Sequence, residues 1–283
     1  MNKELLKRGH KVRVMTDKDP RLSYEIEGVQ VVSRPNNWHD HYLWADIVFT
    51  HLDFAVNVRE DQKIVKRPAV WFAHNTFQFT AVRSAKDMAV IYNSAASYDL
   101  CRYDNPGFVF PPPVDMDYYR VERGENVTLV NLNVNKGGEV LYKIAELMTD
   151  VYFIGVRGSY GGQVVKSLPN VTILPNQKDI REAYKQTKIL LMPSKYESWG
   201  RTATEAMASG IPVICTDTFG LRENCGDAAI YCNRERPEQW VEAIREVFSN
   251  YTYYSEKSLA RAEMLRPKWD EFENFIINHS GKL

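Results

Sequence analysis

Glu197 and Glu205 lie on either side of a junction at which a predicted loop becomes a helix. The helix is expected to begin at Gly200 or Arg201, so Glu197 precedes it and Glu205 lies about one turn inside it. A carboxylate accepts paired hydrogen bonds from vicinal hydroxyl groups, so two carboxylates around a phosphate site can hold two sugars. The alternative, which the spacing alone leaves open, is that both glutamates are ordinary solvated charges.

The start of this helix also predicts a site for an anion. The backbone N–H groups of Trp199, Gly200, Arg201 and Thr202 have no partner inside a helix that begins here. The helix dipole favours negative charge at the same end. We therefore expect a diphosphate to bind between the two carboxylates.

A strand–helix–strand unit must position these groups. The apolar run at 189–192 predicts a buried strand, and the run VICT at 213–216 predicts the next one. Small residues such as Ala203 and Ala206 allow the helix between them to pack closely on a sheet. Gly210 is expected to end that helix.

Similar units are expected along the whole chain, because short β-branched runs alternate with helical patterns. This predicts an α/β fold of two doubly wound, Rossmann-like domains that face a cleft at the carboxyl ends of their strands. Three consecutive prolines within 110–117 predict a stiff connector. We place an acceptor-side domain at 1–118, a nucleotide-binding domain at 119–265 and a terminal helix, crossing back to the first domain, at 266–283. The tract between Phe248 and Trp269 is polar.

Composition excludes several classes of protein. The 283 residues contain 36 Lys+Arg and 36 Asp+Glu, so no basic surface for nucleic acid is predicted. No apolar run approaches the ~20 residues that a transmembrane helix needs. The four cysteines show no metal-ligand spacing and suggest reduced thiols in a cytoplasmic protein. Asp115-Met116-Asp117 has the D-x-D pattern of some metal sites, but its place in the connector indicates coincidence. No metal and no cofactor are predicted.

The run from Pro193 to Asn224, PSKYESWGRTATEAMASGIPVICTDTFGLREN, closely resembles the signature of the retaining glycosyltransferases of family 4, the group 1 glycosyltransferases. The resemblance is gapless over this run and weaker over the rest of the chain. It implies the two-domain GT-B fold and a nucleoside-diphosphate sugar as donor substrate. The matching positions are Pro193, Ser194, Glu197, Gly200, Glu205, Ala206, Met207, Ala208, Gly210, Pro212, Val213, Gly220 and Glu223.

The resemblance implies roles for four side chains. Glu197 would contact hydroxyl groups of the donor sugar, and Glu205 would contact the ribose. Lys136 would lie against the diphosphate, where a compact ammonium can neutralise the leaving group. His74, at the end of a predicted strand, would line the acceptor side near the reacting sugar carbon, although a lone histidine is often structural.

The chain departs from the family pattern in two places. An arginine usually stands five residues before the lysine, and here that position is Asn131. Arg157, Arg201 or Arg222 could supply the missing cation, or each could be a solvated arginine. The chain also opens in a helix, at 2–8, without the strand and glycine loop that precede this helix in the family. We expect a late start, a rearranged sheet or a minimal domain. The glycines of 158–162 predict a flexible loop near the donor.

The expected reaction is retaining, metal-independent transfer of a hexose-type sugar to an unidentified acceptor. The sequence leaves open whether this acceptor is a glycan, lipid, protein or small molecule. The first alternative is a GT-B sugar-nucleotide epimerase, which would need no acceptor. The second is a catalytically weak donor-binding partner subunit, which Asn131 and the missing strand would suit.

Overall fold

The computed structural model describes residues 1–17, 23–34, 38–52, 54–77, 88–101 and 105–280, which form an α/β fold with parallel sheets. The elements up to residue 110 are α1 (Asn2–Lys7), β1 (Arg13–Thr16), β2 (Tyr24–Ile26), β3 (Val29–Ser33), α2 (Trp38–Trp44), β4 (Val48–His51), α3 (Phe54–Gln62), β5 (Ala69–Ala73), β6 (Met88–Tyr92), α4 (Ala95–Cys101) and β7 (Gly107–Val109).

The remaining elements carry the residues of the predicted nucleotide site. They are α5 (Met116–Tyr119), β8 (Asn126–Val130), a 3-10 turn (Val134–Lys136), α6 (Gly138–Leu147), β9 (Phe153–Val156), β10 (Val171–Leu174), α7 (Arg181–Tyr184), β11 (Thr187–Met192), α8 (Arg201–Ala208), β12 (Val213–Cys215), α9 (Phe219–Cys225), a second 3-10 turn (Gly226–Ala228), β13 (Ala229–Tyr231), α10 (Pro237–Ser249), α11 (Tyr251–Met264) and α12 (Trp269–Ser280).

The chain divides into two compact units. The N-terminal unit comprises the described residues of 1–91, 103–108 and 269–283, and the C-terminal unit comprises those of 92–102 and 109–268. Within the described residues, no helix combines the length and the apolar character needed to cross a bilayer. The four cysteines are buried free thiols.

The C-terminal unit is built on a six-stranded sheet of order β10-β9-β8-β11-β12-β13, in which all the paired neighbours are parallel. Strand β11 shows why its sequence is continuously apolar. Ile189 and Leu191 enter the core on the α6 and α10 side, whereas Leu190 and Met192 enter the core on the α8 side. Because both faces of the strand are covered, no polar residue alternates with the apolar ones.

The N-terminal unit contains two sheets, of order β1-β3-β2 and β4-β5-β6-β7. Strand β1 is parallel to β3, but β2 is antiparallel to β3. The β2–β3 hairpin turns at Glu27 and Gly28, whose φ angles of 51° and 82° are typical of a tight type I′ turn. We did not predict β2, because its three side chains are all exposed and lack a buried apolar pattern.

Helix α12 belongs to the N-terminal unit and is tied to its first residues. Arg8 Nη1 donates to Asp270 Oδ1 at 2.7 Å and to Glu273 Oε2 at 2.9 Å. The ring of Phe272 is fully buried and lies 6.4 Å from that of Phe49. Charged pairs at the rim and an aromatic contact in the core therefore dock this helix.

Helix α11 occupies most of the polar tract after Phe248, where the sequence analysis placed no element. Its buried residues are Ser255, Ser258 and Ala262, which are small rather than strongly apolar. A Cβ placed on Gly210 would lie 2.9 Å from Ser255 Oγ, so α11 approaches the end of α8 closely. A helix that packs through small residues leaves little apolar periodicity in the sequence.

Candidate functional site

A cavity of about 280 Å³ lies in the C-terminal unit at the carboxyl ends of β8, β9, β10 and β11. Parallel strands bring the loops that follow them to one edge of a sheet, which is where ligands of doubly wound folds bind. The lining includes five of the predicted site residues. These are Asn131, Lys136, Arg157, Glu197 and Thr202.

Lys136 and Glu197 form an ion pair on the cavity wall, between Nζ and Oε1. Ser194 Oγ donates to the same carboxylate oxygen at 2.9 Å. Glu197 is nine-tenths buried and Lys136 is partly buried. The ammonium and the hydroxyl therefore compensate the charge of a carboxylate that burial would otherwise disfavour.

The turn that carries Lys136 is shaped by its neighbours. Asn133 caps the 3-10 turn, its Oδ1 accepting from Lys136 N at 2.9 Å, and Gly137 follows with a φ of 96°. A Cβ on Gly137 would lie 2.3 Å from Pro193 Cγ, so only glycine permits this close approach. Because β8 and β11 are adjacent strands, the contact brings Lys136 beside the loop that holds Glu197.

Arg234 joins the two loops and was not identified from the sequence. Its Nε donates to the carbonyl oxygen of Pro193 at 2.7 Å, and its Nη2 donates to that of Val134 at 2.5 Å. No sequence signal marks it, since both partners are backbone atoms far away in the chain.

The loop from Glu197 to Trp199 rests on Gly220 of α9. A Cβ on Gly220 would lie 2.3 Å from the carbonyl carbon of Ser198 and 2.5 Å from Trp199 N. Ser198 Oγ also accepts from Asn93 Nδ2 at 2.7 Å. Backbone contacts on one side and a side-chain hydrogen bond on another therefore set the position of Glu197.

Replacing Gly220 by alanine is expected to displace this loop and to lower stability by about 1–3 kcal/mol, the usual cost of overpacking. The added Cβ would meet backbone atoms of Ser198 and Trp199, which cannot move independently of Glu197. Urea unfolding and the affinity for nucleotide measure the two effects. Gly162→Ala is the matched control for stability alone, because a Cβ there meets nothing within 4 Å. Equal stability of the two variants would contradict the prediction.

The N-terminus of α8 offers unused donors. The helix begins at Arg201, as predicted, and Gly200 precedes it with a φ of 88°. Among the described residues, no acceptor bonds the backbone N–H groups of Trp199, Gly200, Arg201 or Thr202. The buried indole Nε1 of Trp199 likewise has no acceptor among these residues. The geometry is that of a helix-terminal anion site.

Glu205 is buried beside the cavity lining rather than in it. Its Oε2 accepts from Tyr184 Oη at 2.9 Å, and its Oε1 is 2.9 Å from Arg201 Nε. Burial raises the pKa of this carboxyl group, and the charge of Arg201 and the hydrogen bonds of Tyr184 and Tyr119 act in the opposite direction. Each carboxylate oxygen therefore has a protein partner and retains a further lone pair.

Three arginines were considered as substitutes for the family's arginine, whose position is occupied by Asn131 in this chain. Their surroundings differ. Arg201 is paired with Glu205, and Arg222 Nε donates to Asp217 at 2.9 Å while its guanidinium lies 3.7 Å from the Tyr231 ring centroid. Arg157 is exposed at the cavity and has no ion pair with any residue that the structure describes. Of these three arginines, it is the one whose guanidinium forms no ion pair with a described carboxylate.

His74 follows β5 in the N-terminal unit. Its ring lies 5.4 Å from that of His51 and 6.2 Å from that of Phe72. Desolvation lowers the pKa of His74, and the neighbouring His51 lowers it further. The imidazole is therefore neutral at pH 7.

The D-x-D sequence in the connector has a structural explanation. Asp115 caps α5, its Oδ1 accepting from Tyr118 N at 3.1 Å, and Asp117 is paired with Arg266 at 3.2 Å. Within the described ranges, no three His, Cys, Asp or Glu side chains cluster as metal ligands.

Comparison with known proteins places this site in context. Residues 166–263 match the family model described as glycosyl transferases group 1. The D-inositol 3-phosphate glycosyltransferase of Mycolicibacterium gilvum is 29% identical over 133 residues, which cover 40% of this chain and 29% of that protein. The enzyme of the same name from Rhodococcus erythropolis is 33% identical over 115 residues, which cover 39% and 24%. The chain thus spans only 24–29% of the length of these relatives.

Solved structures show the fold. Sucrose-phosphate synthase from Thermosynechococcus elongatus has a TM-score of 0.76 at 15% identity, covering 93% of this chain and 87% of that one. HepE from Anabaena, in complex with UDP and glucose, has a TM-score of 0.70 at 17% identity, covering 90% and 86%. These GT-B structures and the parallel sheets confirm the predicted fold class.

Proposed function

We propose that the chain transfers a sugar from a nucleoside-diphosphate sugar to an acceptor. The match of residues 166–263 to the family model of the group 1 glycosyl transferases supports this proposal. The observation that carries the proposal is the shared cavity of Lys136 and Glu197 at the carboxyl edge of the sheet. Thr202 lines the same cavity and lies at the start of α8, where the backbone N–H groups of residues 199–202 can donate hydrogen bonds to an anion. Cationic, hydroxyl-binding and anion-binding groups thus converge on one space, as a sugar linked to a diphosphate requires.

In this proposal Glu197 accepts hydrogen bonds from hydroxyl groups of the transferred sugar, since its second oxygen, Oε2, is not engaged by Lys136 or Ser194. Lys136 lies against the diphosphate, together with Arg157 and the amides of residues 199–202. Glu205 binds the ribose hydroxyl groups through its remaining lone pairs. Asn131 stands near the diphosphate without contributing charge.

We propose a retaining reaction that needs no metal. The bond between the sugar carbon and the phosphate oxygen breaks, and the acceptor oxygen bonds to that carbon on the same face. The acceptor proton passes to the departing phosphate oxygen, so no protein base is needed. Negative charge grows on the diphosphate as the bond breaks, and Lys136, Arg157 and the amides stabilise it there. We place His74, neutral at pH 7, on the acceptor side.

A thermal-shift screen against UDP-, GDP-, ADP- and dTDP-sugars tests the donor proposal. A ligand at 100 times its Kd adds about 2.7 kcal/mol to the stability of the folded state, which is a readily measured shift. NMR of the stabilising sugar nucleotide, alone and with candidate acceptors, then follows the anomeric signal. Stabilisation by none of the four donors would contradict the proposal, and conversion of the donor without acceptor would favour an epimerase.

A further inference from the structure

Two loops form adjoining walls of the cavity. One runs from Asn131 to Lys136 after β8, and the other runs from Arg157 to Gly162 after β9. Because β8 and β9 are neighbouring strands, these loops leave the sheet side by side. The second loop contains three glycines, and its sequence predicts flexibility. It nevertheless carries Arg157, which lines the cavity and forms no ion pair with any described residue.

Gln163 connects these loops through both ends of its carboxamide. Its Oε1 accepts from Leu132 N at 3.0 Å and from Gly158 N at 2.8 Å. Its Nε2 donates to Asn131 Oδ1 at 3.2 Å, to the carbonyl oxygen of Tyr160 at 2.9 Å and to that of Gly161 at 3.2 Å. A carboxamide offers two lone pairs and two N–H donors, so one side chain uses all of its hydrogen-bonding capacity on these walls.

Asn131 and Gly158 complete the same arrangement. Asn131 has a left-handed backbone, with a φ of 71°, and its Oδ1 also accepts from Asn133 N at 3.2 Å. A Cβ on Gly158 would lie 2.3 Å from Asn131 Cγ, so the carboxamide packs directly on the glycine backbone. The position that carries an arginine in the family pattern thus serves here to fasten the loop that presents Arg157.

We infer that Gln163 is a positioning residue that holds the loop 157–162, and with it Arg157, against the diphosphate of the donor. This inference rests on the proposed function. Arg157 immediately precedes Gly158, whose N–H is fixed by Gln163 Oε1. A guanidinium on a loop with three glycines would otherwise lose more conformational freedom on binding an anion, and its contribution to affinity would fall.

Affinities for UDP, GDP, ADP and dTDP, and for the corresponding monophosphates, test the inference by titration calorimetry. Gln163→Ala is expected to weaken binding of the preferred diphosphate about tenfold and that of its monophosphate less than about twofold, because charge-assisted contacts to the terminal phosphate are lost. In an Arg157→Ala background, Gln163→Ala should have little further effect. Gln177→Ala is the matched control, since among the residues that the structure describes Gln177 Nε2 donates only to the nearby Pro175 carbonyl, at 2.8 Å.

Gln163→Glu adds a second readout. The carboxylate keeps the acceptor for Leu132 and Gly158 but cannot donate to Asn131, Tyr160 or Gly161, so diphosphate affinity should also fall. Wild-type affinity of Gln163→Ala for the diphosphate, or an equal loss of affinity for the diphosphate and the monophosphate, would overturn this inference. Either result would leave the proposed function standing. Absence of binding of all four diphosphates by the unaltered protein would overturn the proposed function as well.

Discussion

Replacing Lys136 by alanine is expected to lower kcat for sugar transfer by about 10²–10³-fold, with a smaller effect on donor affinity. The ammonium lies on the cavity wall beside Glu197, where a leaving diphosphate would develop charge. Since that charge is larger in the transition state than in the bound donor, the interaction contributes more to turnover than to binding. Removing it also leaves Ser194 as the one remaining partner of the Glu197 carboxylate within the described part of the chain.

Two further variants sharpen this test. Lys136→Arg keeps the charge but not the compact geometry, so it should recover part of the turnover. Lys195→Ala removes an exposed lysine from the same loop as Glu197 without touching the cavity lining, and it should be as active as the unaltered protein. Initial rates of nucleotide release, measured with saturating acceptor, give kcat for each. Unchanged turnover in Lys136→Ala would exclude the proposed role.

Replacing Glu205 by alanine should weaken nucleotide binding by about 10–100-fold and lower stability by about 1–3 kcal/mol. The carboxylate is buried and bonded to Tyr184 Oη and Arg201 Nε, so its loss leaves a buried hydroxyl without its acceptor. Calorimetric titration with the nucleoside diphosphate and urea unfolding measure the two effects. Glu182→Ala, at an exposed glutamate paired with Lys185, is the control. Full nucleotide affinity in Glu205→Ala would remove Glu205 from the proposed site.

The same residue gives a pH dependence whose sign follows from its pKa. Burial raises the pKa of Glu205 in the folded state above its ordinary value of 4.5. Its protonated form therefore favours folding, and this contribution is present below pH 4.5 and is lost as the pH rises through the folded-state pKa. Glu205→Gln cannot lose a proton. The stability of the unaltered protein should thus fall relative to this variant as the pH rises from 4.5, and a constant difference would contradict the assignment.

Much of the fold could be predicted from local sequence. The strands predicted at 189–192 and 213–216 are β11 (Thr187–Met192) and β12 (Val213–Cys215), and α8 begins within a residue of its predicted start. Continuous apolar runs and glycine stops produce these elements through short-range geometry. Strand β2 and helix α11 were not predicted because neither has an apolar periodicity. The side chains of β2 are exposed, and the buried side chains of α11 are small.

The candidate site divides in the same way. The sequence by itself determined that Glu197 precedes a helix N-terminus with free amides, since these groups are neighbours in the chain. It also supplied Lys136 and Glu205 as candidates through the family resemblance, but not their contacts. Only the tertiary structure decided that Lys136 pairs with Glu197, 61 residues away, and that Glu205 is enclosed by Tyr184 and Arg201.

The junction of Glu197 and the start of α8 therefore follows from local sequence, whereas the walls around it do not. From the sequence, Asn131 is a position at which the family's arginine is missing. In the structure its Oδ1 accepts a hydrogen bond from Gln163 Nε2. The physical reason is the order of the strands. β9, β8 and β11 are adjacent in the sheet, and this order brings together loops that are distant in the chain and makes their side chains partners.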